Sequence, residues 1–324
     1  MRRVEVAAYG AEEVLRPAEF EPSEPGPRDV EIELQAAGVN PADTYLRGGG
    51  YEFIDPGLPF APGFDGAGVV SRVGSAVDAL TVGDRVWVCT IPARTVGTYA
   101  ETLVCDSGVA RPLPDSVGFD AGAAIGVPYI TAYRALVQRG GARPGETVLV
   151  HGASGGVGIA TVQVARALGL HVIGTAGTAG GRDLVLSNGA RHVLDHRIPG
   201  HLDVLRELTD GRGIDLVIEM VAGANLGDDI DALARGGRIV IVGSRGPVEI
   251  LPRGLMVAEA DIRGTALWNM SPSDFAEAFD AIGAWLAAGA IAPVVGRVLP
   301  LAEAAEAHRL IVSGSAGKIV LRTR

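Results

Sequence analysis

Two rhythms of apolar and polar residues run along this chain, and one gives way to the other near residue 122. Before that point Val30-Glu31-Ile32-Glu33-Leu34 steps apolar to polar with a period of two, the pattern of a half-buried strand. Residues 66–70 and 84–88 are further predicted strands, separated by turns such as Glu24-Pro25-Gly26-Pro27, Gly48-Gly49-Gly50 and Pro62-Gly63. Short strands punctuated in this way predict a compact, barrel-like, β-rich domain over residues 1–121. After it, residues 121–127 open a helix and Pro128 starts a second one, reaching about residue 136. Strands at 147–151, 171–175, 192–195, 215–219 and 238–242 then alternate with helices at 157–168, 180–188, 201–209 and 230–234. Apolar strands joined by helices predict a parallel sheet covered on both faces: an α/β, Rossmann-type doubly wound domain over residues 122–265. Residues 266–324 carry an amphipathic helix at 272–288, a helix at 304–312 and a strand at 317–321.

The junction of the first strand and helix of the second rhythm carries the clearest chemistry. Thr147-Val148-Leu149-Val150-His151-Gly152-Ala153-Ser154-Gly155-Gly156-Val157-Gly158 reads as strand, glycine turn and helix start. That arrangement sets a pyrophosphate on a helix N-terminus, where free N–H groups and the helix dipole favour negative charge. The pattern is A-x-G-x-x-G, with Ala153 where the first glycine usually stands. Gly155 and Gly156 allow a close approach to phosphate, and Gly158 allows the helix to pack on the strand. Ser154 and Val157 belong to the same turn.

The choice of dinucleotide depends on the second strand. An acid about 20 residues after the glycine turn holds the ribose 2′-hydroxyl in NAD enzymes. Here that region is Gly174-Thr175-Ala176-Gly177-Thr178-Ala179-Gly180-Gly181, without an acid, and Arg182 follows. Small residues and an arginine suit a 2′-phosphate, so NADPH is the expected cofactor.

Composition narrows the alternatives. No apolar run approaches the roughly 20 residues of a membrane helix, and the N-terminus has no apolar signal segment, so a cytoplasmic protein is expected. Cys89 and Cys105 are the only cysteines, too few for a disulfide framework or a four-cysteine zinc lobe, and read as small core residues. A net charge of −10 makes nucleic acid an improbable main ligand.

Three motifs in order, Gly38-Val39-Asn40-Pro41-Ala42-Asp43-Thr44-Tyr45, Ala123-Ala124-Ile125-Gly126-Val127-Pro128-Tyr129 and the glycine turn, resemble the zinc-independent quinone oxidoreductases of the medium-chain dehydrogenase/reductase superfamily. Asp195-His196-Arg197, Val242-Gly243-Ser244-Arg245-Gly246 and the Gly-Lys-Ile-Val-Leu ending extend the resemblance over essentially the whole chain. It implies a GroES-like catalytic domain built from both termini, with the nucleotide domain inserted, and a homodimer or homotetramer made through the edges of the nucleotide sheets. It implies Tyr45 near the nicotinamide, with Asn40 and Tyr51 beside it as catalytic candidates. Thr131, Gly177, His196, Asn225, Val242, Gly243, Ser244 and Arg245 carry over as cofactor contacts. Relatives that use zinc ligate it through a cysteine where this chain has Asn40 and a Gly-His-Glu where it has Gly63-Phe64-Asp65, so no metal is expected. Without a Lewis acid a simple ketone is a poor acceptor, whereas a quinone delocalises the charge it receives. The expected function is NADPH-dependent quinone reduction. Reduction of enones or alkenals is the alternative within the same chemistry, and a non-catalytic NADPH-binding structural or RNA-binding protein the alternative outside it.

Overall fold

The computed structural model describes residues 1–244 and 246–324. They divide into two units: Met1–Val127 with Met270–Ala287 and Ala292–Arg324, and Pro128–Asn269 with Ala288–Ile291.

The first unit opens with a two-stranded antiparallel ladder, β1 (Arg2–Val6) and β2 (Leu15–Glu19). Its main strand is β3 (Asp29–Val39), which runs into the short helix α1 (Pro41–Arg47). The strands β4 (Asp65–Val73), β5 (Arg85–Cys89), β6 (Thr102–Asp106) and β7 (Ala110–Pro112) follow, then the helical turn α2 (Phe119–Gly122). The period of two does what it promises. Val30, Ile32 and Leu34 point into one core with Val70, Val86, Val88 and Leu103. Cys89 and Cys105 are buried free thiols on β5 and β6, as strand residues of the core.

Helix α3 (Gly126–Tyr133) carries the chain from the first unit to the second and widens into a π-turn at Arg134–Arg139. The second unit then alternates: β8 (Thr147–Val150), α4 (Gly156–Ala167), β9 (His171–Thr175), α5 (Ala179–Ser187), β10 (His192–Leu194), α6 (Leu205–Leu208), β11 (Ile214–Glu219), α7 (Ala222–Ala232), β12 (Leu233–Ile241), α8 (Pro252–Ala258) and β13 (Asp261–Gly264). The six strands lie in the order β10-β9-β8-β11-β12-β13, all parallel. From β8 the chain winds outward to β9 and β10, then returns to β11 on the other side. The gap between β8 and β11 is therefore the topological switch point, outside which α/β sheets bind their ligands.

Two predicted helices shift. The helix expected at 201–209 is reduced to Leu205–Leu208, with turns before it. The helix expected at 230–234 instead covers Ala222–Ala232, and Leu233 and Ala234 already belong to β12. The backbone turns extended at Leu233, where φ is −65° and ψ 145°, so its apolar side chain enters the sheet core rather than a helix face.

After α9 (Pro272–Ala287) come β14 (Val295–Pro300), α10 (Ala304–Ser313) and β15 (Lys318–Arg322). β15 pairs antiparallel with β3, Ile319 opposite Val39, so the C-terminus completes a seven-stranded sheet with the N-terminal strands. No helix of the described residues is long and apolar enough to cross a membrane.

Candidate active site

The glycine turn after β8 has the geometry of an anion cradle. Gly152 takes the left-handed conformation, φ 56°, that only glycine adopts without strain. The residue needing that freedom thus stands one before the usual pattern, and Ala153 is a buried core residue. A Cβ on Gly158 would lie 2.3 Å from the Gly152 carbonyl oxygen, so any side chain there would force α4 off the turn. Gly155 begins α4 with no side chain capping it, and only the Gly152 oxygen, at 3.5 Å, faces the position a Cβ would take. The N–H groups of the first helical turn, Gly156 and Val157 among them, have no partners within the helix. The cradle fits a pyrophosphate.

The ends of β9 and β10 collect several of the expected cofactor residues. Gly177 lies so close to His196 that an added Cβ would meet its Nε2 at 2.7 Å. Ser154 and Thr178 crowd Gly181 in the same way, and the Thr178 hydroxyl accepts the Gly181 N–H at 3.0 Å to cap α5. Arg182 donates to Asp195 at 2.7 Å, and Arg197 donates to the same carboxylate at 3.0 Å. Hydrogen bonds from Arg197 hold the Asp195 carboxyl well below the usual carboxylate range. Asp195 is therefore held by two guanidinium groups beside the exposed His196. Thr131 is a buried residue of α3.

A third group of expected residues surrounds the end of β11. Val242 and Gly243 both donate their backbone N–H to the Glu219 carbonyl, at 2.8 and 3.2 Å, and Gly243 accepts the Ala222 N–H. The Glu219 side chain accepts the Val221 N–H and the Asn225 amide nitrogen. Ser244 follows this loop on the surface, and the expected contact Arg245 lies outside the described residues.

Sequence reasoning missed what lies beneath these loops. His151 Nε2 meets Asp229 at 2.7 Å and lies 3.6 Å from Glu219. All three are at most 2% exposed. Burial pushes Glu219 and Asp229 each up to about 7 and pushes His151 down. The signal was available: Glu219 closes the apolar run Leu216-Val217-Ile218, and His151 closes Val148-Leu149-Val150, where a charged residue is out of place unless partnered.

In the first unit Tyr45 and Tyr51 do come together. Their ring centroids are 6.4 Å apart, and Tyr51 also meets Phe53 at 5.5 Å and Phe64 at 6.3 Å. Tyr45 on α1 is 41% exposed, while Phe64 behind the cluster is fully buried. The four rings form an aromatic wall whose outer face is wet.

Asn40 sits below, at the start of α1, 2% exposed. Its Oδ1 accepts the Lys318 ammonium at 2.5 Å, and its Nδ2 donates to Asp65 at 2.9 Å. Lys318 also reaches Asp65 at 2.9 Å, and the second Asp65 oxygen accepts the Val127 N–H. The neighbouring Asp43 accepts the Asn40 N–H and the Tyr99 hydroxyl, and burial pushes it up to about 7. Tyr99 meets His308 Nε2 at 3.1 Å, and Arg47 meets His308 Nδ1 at 3.0 Å. Burial and Arg47 push that histidine down to about 3, so it stays neutral.

This donor set does not fit a zinc ion. Both ends of the Asn40 amide are engaged, Phe64 offers only a ring, and Lys318 places a buried cation where a second cation would be repelled.

A nucleotide-type parallel sheet with its glycine turn and a β-rich unit closed by both termini define a medium-chain dehydrogenase/reductase architecture. The family described as "Alcohol dehydrogenase GroES-like domain" matches residues 26–115, and that described as "Zinc-binding dehydrogenase" matches residues 156–284. The chain is 44% identical to a quinone oxidoreductase of Lama guanicoe and 43% identical to that of Homo sapiens, each over 99% of this chain and 97% of the relative. It superposes on the quinone oxidoreductase of Escherichia coli complexed with NADPH with a TM-score of 0.87, at 31% identity over 99% of this chain and 100% of that one. A structure titled as an NAD-dependent alcohol dehydrogenase matches with a TM-score of 0.90, at 32% identity over 99% of both chains. The chain belongs to the quinone oxidoreductase family of the medium-chain dehydrogenase/reductase superfamily.

Proposed function

We propose that this protein is an NADPH-dependent, zinc-independent quinone oxidoreductase. The observation that carries the reading is the pairing of an aromatic wall, Tyr45 with Tyr51, Phe53 and Phe64, with a donor set unsuited to a Lewis acid. Its relatives named quinone oxidoreductase, and the Escherichia coli structure complexed with NADPH, support the same activity and cofactor.

When bound, the dinucleotide supplies a hydride. Gly156 and Val157 hold the pyrophosphate with backbone N–H groups, Gly155 leaves the approach open with its own N–H turned to the Gly152 carbonyl, and Ser154, Gly177 and His196 line the adenosine end. Arg182 and Arg197 balance the 2′-phosphate, because Asp195 neutralises only one of the two. Asn225, Val242, Gly243 and Ser244 take the nicotinamide ribose. Thr131 is the remaining cofactor contact in this reading. Tyr45 and Tyr51 stack on the flat acceptor in offset geometry. Asn40 acts from below, fixed by Lys318 and Asp65, as the group that sets the start of α1 and hence Tyr45. The exposed position of Tyr45 leaves water able to supply the proton that a reduced quinone needs.

The protein is further proposed to be a cytoplasmic homodimer. Strand β13 ends the parallel sheet with its outer edge unpaired among the described residues, and α8 beside it exposes Leu251, Met256 and Val257 by 73%, 75% and 73%. An open edge flanked by exposed apolar side chains is what a second sheet would cover. Two free thiols suit a reducing compartment.

Loss of reduced-nicotinamide absorbance with purified protein, NADPH and a quinone panel tests the activity, with an enone panel and NADH as comparisons. Fast turnover of quinones with NADPH is the expected result. Reduction of enones with inert quinones would replace the reading by a double-bond reductase.

A further inference from the structure

The buried His151, Asp229 and Glu219 lie at the switch point, where β8 and β11 are adjacent and the second unit would hold the dinucleotide. Their hydrogen bonds converge on the two carboxyls from both sides. The Gly152 N–H donates to the Thr175 hydroxyl at 3.2 Å, and that oxygen lies 3.4 Å from His151 Nδ1. His151 Nε2 then faces Asp229 Oδ1 at 2.7 Å. With Thr175 donating to Nδ1, Nε2 carries the proton and Asp229 accepts it. Glu219 and Asp229 both face His151, at 3.6 and 2.7 Å, and burial opposes ionisation of both carboxyls. Glu219 Oε1 accepts the Val221 N–H, and both Glu219 oxygens lie within 3.3 Å of Asn225 Nδ2.

The cluster is not a metal site. Two ligands of a tetrahedral ion bound at about 2.1 Å stand about 3.4 Å apart, whereas His151 Nε2 and Asp229 Oδ1 are 2.7 Å apart, in direct hydrogen-bond contact.

The end of the chain is Asn225, half-buried near the start of α7. An asparagine amide has two faces, and its orientation is set by its partners. A carboxylate on one side accepts only the nitrogen, which leaves Oδ1 pointing away from Glu219. We infer that Glu219, braced by Asp229 and His151, is a positioning residue that locks the Asn225 amide with its nitrogen inward, so that Oδ1 is presented as a hydrogen-bond acceptor to a ribose hydroxyl of the dinucleotide. This inference rests on the NADPH-binding reading above. The backbone of Glu219 holds Val242 and Gly243 at the same time, so one residue sets both loops of that half-site.

The test is NADPH affinity by nucleotide fluorescence, with full-length Glu219→Gln, Asn225→Ala and the double variant, each checked for thermal midpoint. A glutamine amide can present its own N–H to Asn225 and release the amide to turn over. Loss of one such hydrogen bond to the ligand corresponds to about a tenfold weaker Kd. Expected results are a Kd raised about tenfold in either single variant, no further rise in the double variant, and an unchanged thermal midpoint. A KM for NADPH that rises while kcat holds would follow from the same loss. Asp229→Asn, which keeps the shape of the buried side chain, is expected to move Kd in the same direction by a smaller factor. Wild-type affinity in Glu219→Gln, or effects that multiply in the double variant, would overturn the positioning role. Because the readout is binding, a wild-type protein that binds NADPH but reduces no quinone would refute the proposed activity and leave this inference standing. One that fails to bind NADPH would remove the basis of both.

Discussion

Each unit buries a polar network beneath candidate site residues of its own, and the two are balanced by different means. In the first unit the Asp65 carboxylate, fully buried, is matched by the Lys318 ammonium, with Asn40 bridging the pair. In the second unit Glu219 and Asp229 are buried beside His151, with no lysine or arginine among their hydrogen-bond partners in the described residues. One network carries its countercharge on a side chain. In the other, burial itself opposes ionisation and pushes both carboxyls up to about 7. A cation on a flexible stem can be supplied late in the sequence, and Lys318 comes from β15, far along the chain from Asn40 and Asp65. The difference teaches that the two halves should respond differently to loss of a partner and to pH.

The largest expected effect comes from removing the side-chain countercharge. Lys318→Met leaves the fully buried Asp65 carboxyl without its cation, with Asn40 and the Val127 N–H as remaining hydrogen-bond partners. Breaking one partner of a buried pair costs about 3–5 kcal/mol. Urea unfolding is expected to show a loss of that order, with most of it recovered in the double variant Asp65→Asn/Lys318→Met, because the orphan charge is then gone. Glu219→Gln is expected to cost little by the same measurement, since it removes a carboxyl whose ionisation burial already opposes. Equal losses in the two single variants would erase the distinction between the networks.

The second expected effect is on pH. Glu219 and Asp229 titrate near 7 in the folded protein, above the roughly 4 of unfolded acids. The folded state therefore binds more protons between those values, and the stability these groups contribute is present at acid pH and lost as pH rises through about 7. Asp43 in the first unit has the same sign, while His151 and His308, both lowered, act oppositely and withdraw stability as pH falls below about 6.5. Asp43 and His308 are not partners of Asp229 and contribute alike to the wild type and to Asp229→Asn, so the difference between their stability curves isolates the cluster of Asp229, Glu219 and His151. From pH 5 to 8 the wild type is expected to lose on the order of 2 kcal/mol relative to Asp229→Asn. Parallel curves would mean that burial does not raise the Asp229 carboxyl.

The two networks also differ in how far the sequence announced them. The alternation at Val30-Glu31-Ile32 and the strand–turn–helix around Gly155 fixed the layer and the cradle without a structure, because local periodicity and the steric demands of a turn are properties of neighbouring residues. Tyr45 and Tyr51 were nominated by resemblance, and their six-residue separation spans one helix and a glycine turn, so their meeting is still a local event. Lys318 and Asp65 are 253 residues apart, and His151 and Asp229 are 78 apart. No pattern within a window links them. What the sequence did display was the anomaly: a glutamate at the end of an apolar strand, a lysine at the start of another. A buried charge in such a run implies a partner without naming it. The shifted helices have a related cause, since Leu233 has helical neighbours but is drawn into the sheet by tertiary burial.

The smallest expected effect on stability comes from a third arrangement, in which solvent does the balancing. Arg182 and Arg197 share Asp195 at the surface of the second unit, with Arg197 well exposed. Exposed ion pairs contribute little to folding, because water already solvates both charges. Arg182→Ala is therefore expected to leave the thermal midpoint unchanged, in contrast to Lys318→Met. Its effect should appear in cofactor choice instead. With Arg182 gone, Arg197 and Asp195 cancel, and the pocket loses the net positive charge that favours a 2′-phosphate. The KM for NADPH is expected to rise about tenfold while that for NADH stays level, the loss of one charge-assisted contact. Parallel kinetics with the two cofactors decide the matter. If both KM values rise together, Arg182 serves the shape of the β9–α5 turn, and the arginine pair does not read the phosphate.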